Sequence, residues 1–137
     1  MKHIYTYGGQ YAQRHLTVGC ILKNKAAGKR MSQVTAFDTE EAAAAAEAQI
    51  DSLTIGTDTV ADIRAAAPHI FITAAQSMRQ HVTEDDALGG AIDAMAKGAD
   101  AIYTPRSLSH IERIAREGIS VRGHSGLCLT SAPTGQI

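Results

Sequence analysis

Tryptophan is absent, and aromatic residues make up only 4% of the 137-residue chain. The core must therefore come from Ala, Ile, Val and Leu, and a surface that stacks nucleic-acid bases is not expected. Cys20 and Cys128 are the only cysteines. They lie far apart without C-x-x-C spacing, so the pattern supports neither a disulfide framework nor a zinc site. Both read as small buried apolar residues. No run approaches the roughly 20 apolar residues of a membrane span, and residues 1–10 lack the apolar stretch of a secretory leader. Excess charge is missing too. A formal net charge of −1 gives no electrostatic reason to expect nucleic-acid or membrane-surface partners. The expected compartment is the cytoplasm.

What is present suits one folded domain, since 45% of residues are hydrophobic and 20% charged, too apolar for a disordered chain. Residues 1–16 read as a polar, Gly-containing arm, and residues 17–137 as a series of strand-then-helix units. Thr17 is placed to cap a helix that Gly28 stops. Residues 32–37 are β-branched and aromatic, hence a first strand, and Asp38 with Glu41 forms a capping pattern before an alanine-rich helix. Strands follow at 52–55, 69–74, 99–104 and 119–122. Between them, helices are expected after Asp58 or Thr59, after Thr83 with Asp86, and after Ser107. Pro68, Gly98, Pro105 and Gly118 mark stops.

Repeated β-α units with short connections predict an α/β protein with a parallel sheet and right-handed crossovers. Two architectures fit. One is the first five strands of a (β/α)8 (TIM) barrel, whose full form needs ~250 residues. The other is an open five-stranded doubly wound sheet. An unclosed sheet leaves strand edges that proteins cover, which makes a homo-oligomer the expected state.

Three stretches carry a family resemblance: Val34-Thr35-Ala36-Phe37-Asp38, Ala96-Lys97-Gly98-Ala99-Asp100-Ala101, and Gly118-Ile119-Ser120-Val121-Arg122-Gly123-His124-Ser125-Gly126-Leu127. The last is similar to G-I-P-V-x-G-H-L-G-L of ketopantoate hydroxymethyltransferase (3-methyl-2-oxobutanoate hydroxymethyltransferase), a family of the phosphoenolpyruvate mutase/isocitrate lyase superfamily. Residues 29–127 resemble the N-terminal half of that family. The resemblance implies a TIM barrel, a small α-keto acid or carboxylate substrate, C–C bond formation in pantothenate biosynthesis, Mg2+, and no organic cofactor.

Carried over position by position, the family's active-site histidine falls on His124. Where the family has a metal-ligating Asp after its second strand this chain has Thr57, with Asp58 one residue later as the implied metal ligand. The A-D-L that carries its second metal Asp after the third strand is replaced by Ala74-Ala75-Gln76, without a carboxylate, and its lysine motif after the fourth strand by Tyr103-Thr104-Pro105-Arg106. The family's general-base Glu would lie beyond residue 137. Thr35, Thr57, Tyr103 and Arg106 are thus the candidate substrate-binding residues. The fork of Arg106 is suited to a carboxylate. Plainer roles stand beside these: Asp58 and Asp38 as helix caps, Arg106 as a surface residue, His124 as a structural histidine. A non-catalytic half-barrel used for assembly or ligand binding is the competing reading.

Overall fold

The computed structural model describes residues 1–124, so the calls on Ser125 to Leu127 and on Cys128 lie outside the described residues. The arm is a β-hairpin rather than a simple extended lead. Strand β1 (Lys2–Tyr5) pairs antiparallel with β2 (Tyr11–Arg14), and Gly9 takes a positive φ in the connecting turn. Helix α1 (Val18–Ala26) follows. Its cap is the Thr17 side chain, which accepts from the Cys20 N–H. The same hydroxyl donates to the Cys20 sulfur at 3.2 Å, and this bond holds the thiol below its ordinary 9.0.

The main body alternates strand and helix: β3 (Gln33–Thr35), α2 (Thr39–Glu47), β4 (Ser52–Gly56), α3 (Val60–Ala66), β5 (Phe71–Ala75), α4 (Glu84–Ala96), β6 (Ala101–Thr104), α5 (Leu108–Ala115) and β7 (Val121–Gly123). The five strands β3 to β7 form one parallel sheet in sequential order. A doubly wound sheet has a point where that order reverses. None occurs here. With every crossover of one hand, the helices fall on a single face. One core confirms it: Ala42 and Ala45 of α2, Val60 and Ile63 of α3, Leu88 and Ala91 of α4, and Ile114 of α5 pack together on Leu53, Ile55, Ile72, Ala74 and Ile102. Each fully buried aliphatic side chain contributes roughly 1.5–3 kcal/mol, and the alanines let the helices lie close to the sheet.

The hairpin is fastened where the strands begin. Arg14 is buried, and its Nε donates to Asp100 at 2.8 Å while Arg64 Nη2 donates to the other oxygen of the same carboxylate at 2.6 Å. Burial pushes the Arg64 guanidinium down to about 10, still a cation at neutral pH. Asp100 also accepts from the Ile72 N–H, so one carboxylate ties hairpin, α3 and sheet. A second, smaller apolar cluster joins Leu16, Cys20, Ile21 and Met31 to Phe71 and Ala101. It sets the α1 region against the sheet face that α2 to α5 leave open.

Candidate functional site

Strand alternation fixes what this open face displays. Because Leu53, Ile55, Ile72 and Ala74 point to the helices, their neighbours point the other way. The parallel register places Thr35, Thr54, Thr73 and Ala101 in one row. Gly56, Ala75, Tyr103 and Arg122 form the next, nearer the strand C-termini. Hydroxyls, small residues and one guanidinium make up these rows. They contain no carboxylate.

Arg122 shows that the sheet is curved. From β7 it donates through Nη1 to Gln33 Oε1 on β3 at 2.7 Å and through Nη2 to Thr54 Oγ1 on β4 at 3.3 Å. Gln33 Nε2 in turn donates to Thr54 Oγ1 at 2.6 Å. In a flat sheet β3 and β7 would lie four strand spacings apart, ~19 Å, farther than an arginine and a glutamine can bridge. The face is therefore concave, and Arg122 spans it. Its guanidinium also sits 5.4 Å from the centroid of the Tyr103 ring, a cation–π distance. Among the described residues its charge is met by neutral acceptors only.

At the strand C-terminal rim the Tyr103 hydroxyl and His124 Nδ1 are hydrogen-bonded at 3.0 Å, with the rings edge to face. Thr35 ends β3 and is exposed; Thr57 follows β4 and is half-buried. Asp58 is exposed beside Gly56, and Thr59, not Asp58, is the N-cap of α3. Asp38 caps α2, accepting from the Glu41 N–H at 2.8 Å. Arg106 takes a fastening role: its Nη2 donates to the carbonyls of Met78 and Gln80 at 2.7 and 3.1 Å, holding the loop after β5. Gln76, at the tip of β5, is buried and donates to the Ala87 carbonyl at 2.7 Å. The structure thus brings together Tyr103 and His124, leaves Thr35, Thr57 and Asp58 around the same rim, and turns Arg106 to the loop. Sequence reasoning missed Arg122, Gln33 and Thr54. Alternation from Val121, which packs toward the helices, would have put Arg122 on the open face.

The donor set at the rim fits Mg2+ poorly. Mg2+ asks for hard oxygen ligands in octahedral array, with one or two carboxylates. Among the described residues the acids next to the strand tips are Asp58 and Asp38, the latter engaged as the cap of α2, and the amide of Gln76 donates to the Ala87 carbonyl of α4. Among the described residues no three His, Cys, Asp or Glu side chains converge on a point. A cavity of about 360 Å³ lies between the α1 region and the concave face. Leu16, Ile21, Met31 and Phe71 form its apolar wall, and Thr73 and Arg122 its polar one. A cavity of about 400 Å³ opens at the opposite end of the strands, beside His15 and His69. It is remote from the rim where β/α barrels carry chemistry.

Compared with protein-family models and with curated proteins, the sequence gives no match. Fold and site together define a parallel β/α protein with a concave sheet that carries Arg122, Gln33 and Thr54 on its open face and Tyr103 with His124 at the strand C-terminal rim. No helix among the described residues is long and apolar enough to cross a membrane.

Proposed function

We propose that the concave face binds a small α-keto acid or related carboxylate and supports C–C bond chemistry of the hydroxymethyltransferase kind, as part of a (β/α)8 barrel. One observation carries the reading: Arg122, a cation held by neutral acceptors, lies over Tyr103, whose hydroxyl is bonded to His124 at the strand tips. A cation that meets no counter-ion among the described residues of a concave face is suited to an anion. Arg122 is the residue for the substrate carboxylate, with Thr54 beside it. The Tyr103–His124 pair is placed to hold or pass a proton at the neighbouring carbonyl. Thr35 and Thr57 supply hydroxyls at the rim. Arg106 acts indirectly, by fixing the loop after β5.

The test is proton exchange at C3 of 3-methyl-2-oxobutanoate in deuterated buffer, followed by NMR with and without added Mg2+, beside calorimetric titration of the same acid. Binding with exchange supports the full reading. The scarcity of carboxylates at the strand tips favours a second reading, a domain that binds the acid without turning it over. Binding without exchange would decide for it. No binding at millimolar ligand would sink both.

A further inference from the structure

The near-zero net charge hides a separation of charge along the chain. Residues 1–37 hold six of the 13 Lys and Arg residues and none of the 14 acids. From residue 38 onward, seven cations face all 14 acids. Arg14 is spent internally on Asp100. Lys2, Lys23, Lys25, Lys29 and Arg30 are exposed, and among the described residues none enters an ion pair. Asp85 and Asp93 of α4 and Glu112 of α5 have local partners in Arg113, Lys97 and Arg116. Those of α2 have none: its sequence Thr-Glu-Glu-Ala-Ala-Ala-Ala-Ala-Glu contains no basic residue, and Glu40 and Glu47 are exposed without an ion pair among the described residues.

The two unpaired poles also match in shape. On α1, Val18, Leu22 and Lys25 share one face by their i, i+4, i+7 spacing, all exposed, Leu22 at 64%. On α2 the same spacing aligns Glu40, Ala43, Ala44 and Glu47, again exposed. Each stripe is about 10 Å long at 1.5 Å per residue. The alanines make α2 a flat surface that another helix can approach closely. Leu22 is an apolar residue in the middle of a basic patch, which a phosphate backbone would leave uncovered and an alanine face would bury.

We propose that the outer face of α1 docks on the outer face of α2 of a second copy of this chain. Val18 and Leu22 rest on Ala43 and Ala44, and Lys25, flanked by Lys23, Lys29 and Arg30, meets Glu40 and Glu47. The contact is head-to-tail, since each copy offers one pole of each sign. It does not depend on what the concave face binds.

Sedimentation velocity and light scattering on the full chain test it. Association at low salt should weaken as ionic strength rises. Lys23→Glu with Lys25→Glu, or Glu40→Lys with Glu47→Lys, should each weaken self-association by about tenfold or more, with circular dichroism unchanged. Mixing the two reversed proteins should restore association, an outcome that misfolding cannot imitate. A monomer at all concentrations in low salt overturns the proposal, as does association indifferent to both reversals. A wild-type monomer whose basic face instead binds a single-stranded RNA oligonucleotide, or vesicles of phosphatidylcholine and phosphatidylglycerol, overturns it too and reassigns the face.

Discussion

At the scale of single residues the proposed function turns on Arg122. Its bonds to Gln33 and Thr54 fix the guanidinium against the concave face, so little ordering remains to be lost when an anion arrives. Hydrogen bonds to charged groups contribute roughly 1.5–3 kcal/mol. Arg122→Leu should therefore weaken carboxylate binding about 10- to 100-fold in calorimetry, while a neutral amide analogue of the ligand should hardly notice the change. Equal losses for both ligands would mean that the substitution disturbs the sheet and not an anion seat. Part of this site was legible in the sequence. Tyr103 lies near the end of the predicted strand 99–104 and His124 just past that at 119–122, and their side chains meet in the fold. Arg122 was not seen, because a resemblance points only to positions the family uses, and Arg122 falls where the family's pattern is variable. Arg106 shows the opposite error: its forked head suits a substrate, but two nearby carbonyls reach it first.

Elements were more legible than the site, because capping chemistry is local. Thr17, Asp38 and Thr83 accept from the backbone where the sequence placed them, and Thr83 and Asp86 bond reciprocally. Those bonds with Thr83 hold the Asp86 carboxyl below its ordinary 3.8. A depressed carboxyl pKa stabilises the fold in full above the unfolded value and loses that contribution as pH falls through the folded one. Acid should therefore fray the start of α4 below pH 3.8, and Asp86→Ala should remove that part of the pH dependence, read as amide exchange over residues 84–88. The hairpin escaped notice because its strands are polar and its connection is five residues long, so that Gly8-Gly9 does not stand alone between two apolar runs as a two-residue turn does. Within α4, adjacent glycines make a sharper test. A Cβ on Gly89 meets nothing within 4 Å, whereas one on Gly90 strikes the His81 ring. Gly89→Ala should stabilise by about 0.5–1 kcal/mol and Gly90→Ala should destabilise, both read from urea midpoints. Two changes of the same sign would mean that His81 yields its place without cost.

For the molecule as a whole, periodicity showed strands and helices but not how the strands would be ordered, which depends on pairings between distant segments. The sequential order and the reach of Arg122 across the sheet come from the assembled chain. So does the cluster joining the hairpin to that sheet, where Arg14 and Arg64 share Asp100, all three largely buried. Two cations on one anion leave a surplus positive charge, and this makes the cluster's response to substitution asymmetric. Asp100→Asn removes the anion and leaves two guanidiniums without a counter-charge in a region poor in water. Breaking a buried pair in this way costs about 3–5 kcal/mol. Arg14→Met, by contrast, leaves Asp100 and Arg64 as a balanced pair and replaces the guanidinium with an apolar side chain. It should cost less, and its effect should concentrate in the hairpin as faster amide exchange over residues 2–14 with the exchange of β4 and β5 little changed. Chemical denaturation of the two variants gives the comparison directly. If Arg14→Met proves as damaging as Asp100→Asn, packing of the arginine stem holds the hairpin down, and charge balance at Asp100 does not.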